Sequence, residues 1–331
     1  MENRSFGNSG LNVTPLGIGL AALGRPGYIN LGHADDLNSN YDVEIMEDHT
    51  HQVLDAAWEC GIRYYDAARS YGRAEQFLSS WLTTRGISPR QITVGSKWGY
   101  TYTADWKIDV EQHEVKDHSL PVLQRQFKES SQLLGNYLSL YQIHSATLDS
   151  GVLTNKKVLR ELIRLRNDGL RLGLSLSGPA QADTLQQALK IRPDGEMLFS
   201  AVQATWNLLA QEVGEALAEA SAMGMGIIVK EALANGRLTS RNQDPAFAAK
   251  RARLSQLALI NRTTIDAIAL SVALEQPWSD VVLSGAATVQ QLYSNVKALD
   301  LRDAIDTVGL MQDFKETPSQ YWSRRSQLMW N

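Results

Sequence analysis

The stretch "IRYYDAARSYGRAE" spans residues 62–75. Its first half begins like a buried strand, with Ile62, Tyr64 and Tyr65. Its second half carries Gly, Arg and Glu ahead of the helical "GRAEQFLSSWLTTRG" (72–86). The junction between them holds Asp66, Arg69 and Tyr71. A strand feeding a helix through a short polar turn is one β/α unit. Whether that unit repeats decides the fold.

It does repeat. On the N-terminal side, "VTPLGIGLAALG" (13–24) is an apolar run whose part 13–20 reads as a strand. A Gly-, Asn- and Asp-rich stretch, 25–48, follows as a long loop, and "THQVLDAAWECG" (50–61) then has helical periodicity. Downstream, strand-like "QITVGSKWG" (91–99), "LSLYQIHS" (138–145), "LRLGLSLSG" (170–178), "FSAVQATWN" (199–207), "MGIIVKEAL" (225–233) and "VVLSGAATV" (281–289) alternate with helical segments. These include one long helical region over 244–275 and a last helix from Val289 to about Leu299. With residues 62–68, that makes eight short apolar strands separated by helices and no linker dividing the chain. The pattern predicts α/β architecture, a single closed (β/α)8 TIM barrel over 1–331. The alternative, an open doubly wound sheet, lacks its GxGxxG fingerprint after an early strand.

Composition narrows the function. The chain has 331 residues, 44% apolar and 21% charged, with a net charge of -4. This balance argues against a broad nucleic-acid surface. The N-terminal segment has no signal-peptide core, and no window approaches 18 uninterrupted apolar residues, so we expect no membrane span and a cytoplasmic protein. The one cysteine, Cys60, lies in an apolar helical pattern and reads as a structural thiol. There is no Cys/His cluster of zinc spacing. His113 and His118, five apart, are poorly spaced for one helical face, so no metal is expected.

In such a barrel, active sites form where strands end. The residues there are Asp66 and Tyr71, Lys97, His144, Ser175, Gln203 and Trp206, Lys230 and Glu231, and Ser284. Four of them suit proton transfer. A tyrosine hydroxyl, ordinarily with a pKa of about 10, is a sluggish acid near neutrality. A lysine ammonium beside it favours the phenolate and is expected to lower that pKa. A carboxylate keeps the lysine charged and aimed. A histidine can orient a carbonyl oxygen that gains negative charge as a hydride arrives. Asp66, Tyr71, Lys97 and His144 make that set.

The ordered segments "IRYYDAARSYG", "VGSKWG" and "LYQIHS" resemble the aldo-keto reductase family. So do "RSFGNSGLNVTPLGIGLAALG" (4–24), which looks like the family's opening β-hairpin (1–12) and first strand, and the later "GLRLGLSLSG", "VQATWNLL", "IIVKEALANGRL" and "VVLSGAATVQQLYSN". The resemblance implies a barrel using NADPH, or sometimes NADH, without a metal. It implies Tyr71 as proton donor, Lys97 as its tuning partner, Asp66 as the partner of that lysine and His144 as the substrate-orienting residue. For the cofactor it implies Ser175 and Gln203 at the carboxamide, Trp206 stacked on the nicotinamide, and Gly285, Gln291 and Asn295 at the adenosine end. Three departures stand out. Leu176 replaces the family's carboxamide-binding Asn. Gly285 and Gln291 are not basic where relatives often meet a 2′-phosphate, which leaves Arg237 or Lys230 as substitutes. Glu231 and Ala232 occupy the region of a usual Pro.

The implied reaction interconverts an aldehyde or ketone and its alcohol. A sugar dehydrogenase working oxidatively is an alternative, as is a nucleotide-binding regulatory subunit with little turnover. The partner is a small carbonyl or alcohol; the oligomeric state is open. The stretches 25–48 and 100–119 are expected as rim loops shaping the pocket. The tail, 312–331, ends in "QYWSRRSQLMWN" and reads as a lid, an outer cap or an oligomer contact. Arg69 has two open roles, a rim salt bridge or a substrate contact.

Overall fold

The computed structural model describes residues 1–301 and 304–331. Two short strands, β1 (Arg4–Ser5) and β2 (Asn12–Val13), pair antiparallel. The barrel strands are β3 (Leu16–Gly19), β4 (Tyr64–Asp66), β5 (Thr93–Trp98), β8 (Leu138–Ala146), β9 (Arg171–Leu176), β10 (Ala201–Thr205), β11 (Gly226–Lys230) and β12 (Val281–Ser284). They run parallel in chain order and close where β12 pairs with β3, Val282 opposite Leu16. The eight runs expected from the sequence are these eight strands. The first is shorter than expected, because Val13 belongs to the hairpin, opposite Arg4.

Side-chain alternation divides the barrel into two cores. Inward residues Tyr64, Leu140, Ala201, Ile228 and Val281 pack around Phe6, which the hairpin inserts into the N-terminal mouth. Gly226 makes room for it: a Cβ there would lie 2.5 Å from the Phe6 ring. Arg4 donates to the Asp280 carbonyl at 2.7 Å and fastens the hairpin. Outward residues such as Tyr65, Val94, Ile143, Leu174, Val202 and Val229 pack under the helices in a second, larger core.

That helical layer includes α2 (Val43–Glu59), α3 (Ala74–Thr84), α4 (Leu120–Leu134), α5 (Lys156–Asn167), α6 (Gln181–Leu189), α7 (Gly214–Ala222), α8 (Ala248–Ile260), α9 (Ile265–Leu274) and α10 (Val289–Val296). Four stretches differ from the sequence expectation. The 25–48 segment contains a helical turn, α1 (His33–Asp36), and gives its last residues to α2, which starts early because Asp42 caps the Glu44 and Ile45 amides. The 100–119 segment holds a hairpin of β6 (Tyr100–Tyr102) and β7 (Glu114–Lys116). The 244–275 region is two helices bent by 88°, with Arg262 at φ 50° and Thr264 capping α9. Two further helices, α11 (Thr307–Phe314) and α12 (Pro318–Ser326), follow α10. Among the described residues no single helix is long and apolar enough to cross a membrane.

Candidate active site

The C-terminal ends of the strands open into a cavity of about 910 Å³. Its wall runs from Asp66, Tyr71 and His144 at the barrel mouth to Gly285, Gln291 and Asn295 beside α10. The period-two alternation sends Asp66, Lys97, His144 and Gln203 inward from four different strands.

Lys97 and Asp66 are buried and ion-paired through Nζ and Oδ2. Asp66 Oδ1 also accepts from Tyr64 Oη (3.2 Å), Gln142 Nε2 (3.2 Å) and Gln203 Nε2 (3.1 Å). The carboxylate is therefore satisfied by neutral donors as well as by the ammonium, as a buried charge requires. Gly95 leaves the space for this knot, since a Cβ would sit 2.7 Å from the Tyr64 hydroxyl. Lys97 Nζ donates to the Ala67 carbonyl at 2.9 Å and reaches Tyr71 Oη at 3.5 Å.

Tyr71 Oη also lies 3.5 Å from His144 Nε2. Ser70 Oγ approaches the other ring nitrogen, Nδ1, at 3.4 Å. A Ser70 hydroxyl donating to Nδ1 leaves the proton on Nε2, facing the cavity. Burial drives the His144 pKa well below its ordinary value, and Lys97, Lys230 and Arg25 push the same way. The ring is thus neutral at pH 7, a hydrogen-bond donor rather than a cation.

The Tyr71 pKa moves opposite to the sequence expectation. Burial raises it, the Asp66 charge raises it further, and Arg25 opposes. A phenolate there would lose its hydration and face the negative charge of Asp66. Tyr71 is held protonated near neutrality, the state a proton donor needs.

Of Ser175, Gln203 and Trp206, only Gln203 lines the cavity. Ser175 points inward, but its Oγ accepts from the Ser145 amide at 2.8 Å. Ser145 has φ 51° where the β8–β9 register shifts, so Ser175 supports the bulge beyond His144. Gln203 lines the cavity with its amide nitrogen engaged by Asp66. Trp206 is a correction. It is buried outside the barrel, edge-on to Trp278 at 5.5 Å, a Cβ at Gly214 would lie 3.2 Å from its Nε1, and it does not line the cavity. Three residues beyond inward Gln203, strand phase puts it on the opposite face. Leu176, one past inward Ser175, likewise enters the outer core.

At the far end, the carbons of Gly285 face open space: a Cβ there would meet nothing within 4 Å. Thr288 caps α10 by accepting from the Gln291 amide. Asn295 Nδ2 donates to Ser284 Oγ at 2.9 Å. Gln291 bridges the Ala287 amide and Asp36 Oδ1. Asp36 is also gripped by the fork of Arg241, a cavity-lining cation the sequence did not single out. Arg237 is not available as the basic substitute: it is buried against Glu316 and away from the cavity. Lys230 does line the cavity, donating to Thr205 Oγ1 at 2.8 Å; burial brings its pKa down to about 8.

Glu231, at φ 55°, fills the region of the missing Pro. Burial opposes its ionisation, yet Arg325 and Lys230 bring its pKa down to about 2. Arg325 Nε donates to Glu231 Oε2 at 2.9 Å and so ties α12 to the barrel mouth. Arg69 is settled by contacts rather than by substrate. It bridges buried Glu75 and Glu129, and Glu75 also accepts from Ser96 and Ser130 at 2.6 Å each.

A closed (β/α)8 barrel with a Tyr–Lys–Asp–His set at one mouth and a long cavity beside it defines a class of oxidoreductase scaffold. The chain belongs to the aldo/keto reductase family, whose model matches residues 15–315. It is similar to the pyridoxal 4-dehydrogenase of Microbacterium luteolum, 25% identical, with 89% of this chain and 92% of that protein aligned. It is also similar to the L-glyceraldehyde 3-phosphate reductase of Escherichia coli, 23% identical over 91% of this chain and 88% of that one. Its fold is shared with the aldo-keto reductase AKR11C1 from Bacillus halodurans: TM-score 0.73, 21% identity, 96% and 97% of the two chains covered.

Proposed function

We propose that the chain is an NAD(P)(H)-dependent oxidoreductase that interconverts an aldehyde or ketone and its alcohol. The observation carrying this reading is the position of Tyr71 Oη, within 3.5 Å of both Lys97 Nζ and His144 Nε2. A carbonyl oxygen placed against Tyr71 and His144 receives a hydrogen bond from neutral His144 and a proton from Tyr71. Lys97, anchored by Asp66, stabilises the phenolate that remains. In the alcohol-to-carbonyl direction, Tyr71 accepts the proton instead.

The residues present fit a dinucleotide. The cavity is long, the open backbone at Gly285 leaves room for close approach, and α10 begins beside it. When bound, the nicotinamide supplies or accepts the hydride. Gly285, Gln291 and Asn295 would hold the adenosine end, and Gln203 with the Ser175-supported loop would flank the nicotinamide end. Arg241 would face a 2′-phosphate, which favours NADPH while leaving NADH accepted.

The test follows nucleotide absorbance at 340 nm with NADPH and NADH, each against a panel of aldehydes and ketones, and with NADP and NAD against aldoses and alcohols. Tyr71→Phe is expected to lose nearly all turnover while binding nucleotide as before. Equal turnover of wild type and Tyr71→Phe would rule out Tyr71 as the acid. Nucleotide binding without turnover on any panel member would favour the regulatory alternative.

A further inference from the structure

Arg25 stands in the loop after β3 and is 2% exposed. A guanidinium this buried needs partners, and its partners come from three separate parts of the chain. Its Nη1 donates to the Ser70 carbonyl at 2.9 Å and to Glu114 Oε2 at 2.9 Å. The first bond holds the peptide immediately before Tyr71. The second holds the β6–β7 hairpin. Its Cζ lies 5.2 Å from the Tyr71 ring centre and 4.6 Å from that of Trp330. Trp330 in turn stacks on His113 at 4.1 Å and 7°. Arg25 thus lies between the Tyr71 and Trp330 rings on the cavity wall, with His113 stacked behind Trp330.

The segment carrying Trp330 is seated by its neighbour. The Asn331 and Tyr28 backbones exchange hydrogen bonds of 3.2 and 3.1 Å, and Asn331 Oδ1 accepts from the His33 amide at 2.9 Å. Residues 28 and 33 belong to the same loop as Arg25. The tail therefore docks on that loop, while Arg25 reaches from the loop to the Tyr71 turn.

We infer that Arg25 is a positioning residue that couples seating of residues 330–331 to the placement of Tyr71, so that the site is complete only with that segment docked. The inference rests on the reading of Tyr71 as proton donor. Two features make arginine the suitable side chain. Its Nη1 bonds two acceptors while the planar guanidinium lies near two aromatic rings, a flat contact that a lysine ammonium cannot reproduce. Its charge also opposes the rise in the Tyr71 pKa.

The test uses the full chain and two variants, Arg25→Met and Trp330→Ala, with amide hydrogen exchange and kinetics read side by side. Exchange in residues 28–33 and 328–331 is expected to rise at least about tenfold in both variants, with the barrel strands unchanged. Unchanged exchange in those segments overturns the coupling, whatever the turnover. With the carbonyl on which wild type is fastest, Arg25→Met is expected to lower kcat about tenfold or more and leave nucleotide Kd within twofold. Arg25→Lys, which keeps the charge and one bond, should fall between. In a Tyr71→Phe background, Arg25→Met is expected to cost nothing further. Losses that multiply show Arg25 acting independently of Tyr71 and overturn the inference. Failure of the Tyr71 reading shows separately, in Tyr71→Phe alone.

Discussion

Replacing Asp66 by Asn tests the ion pair at the centre of the site. Lys97 is fully buried, and its other partners are one carbonyl and one phenol, both neutral. Asn keeps the shape and an acceptor for Tyr64, Gln142 and Gln203 but removes the counter-charge. Breaking a buried pair from one side costs about 3–5 kcal/mol, because the remaining charge is stranded. For a chain of 331 residues, an unfolding entropy of about 2.1 cal/mol/K per residue sums to about 0.7 kcal/mol/K. The expected loss in Tm is then about 4–7 °C. The reverse change, Lys97→Met, should cost less, because Asp66 retains three neutral donors. The double variant Asp66→Asn, Lys97→Met should recover stability relative to Asp66→Asn and recover no activity. The assay is urea unfolding and calorimetry at pH 7, with turnover measured in parallel. An Asp66→Asn protein within about 1 kcal/mol of wild type, or one costing less than Lys97→Met, would refute the stranded-charge reasoning.

Phe6→Ala should destabilise by about 3–5 kcal/mol in urea unfolding, since it empties the N-terminal mouth. It should leave kcat near wild type, because the plug lies at the opposite end from Tyr71. Glu231, whose folded pKa falls from 4.5 to about 2, contributes stability that is complete above about pH 4.5 and lost as pH falls toward 2. That amounts to roughly 3 kcal/mol; Glu231→Gln should flatten urea midpoints measured between pH 5 and 3, and an unaltered acid profile would contradict it. Arg241→Ala should weaken NADPH binding more than NADH binding in titration calorimetry, and equal weakening would remove Arg241 from 2′-phosphate recognition.

Much of this protein is legible one residue at a time. The eight strands show because a parallel barrel strand is buried on both faces and reads as an apolar run. Asp66, Tyr71, Lys97 and His144 show because they are polar at the ends of such runs, and parallel closure brings strand ends together. Trp206 stands on the helical side rather than at the nicotinamide, and the sequence holds the signal: counting in twos from Gln203 puts it there. Arg237 and Arg241 are neighbours in composition and indistinguishable by pattern. Only the fold shows one locked to Glu316 and the other on the cavity wall beside Asp36.

The sequence by itself determined the barrel and the four side chains at its mouth, since both follow from local periodicity. The tertiary structure alone decided which tyrosine proton state prevails, because burial and Asp66 outweigh the opposing charge of Arg25. It alone decided how the rim closes. Arg25, Ser70 and Trp330 come from loops that have no period and meet Glu114 of the β6–β7 hairpin, and such contacts are fixed by packing and charge pairing rather than by spacing along the chain.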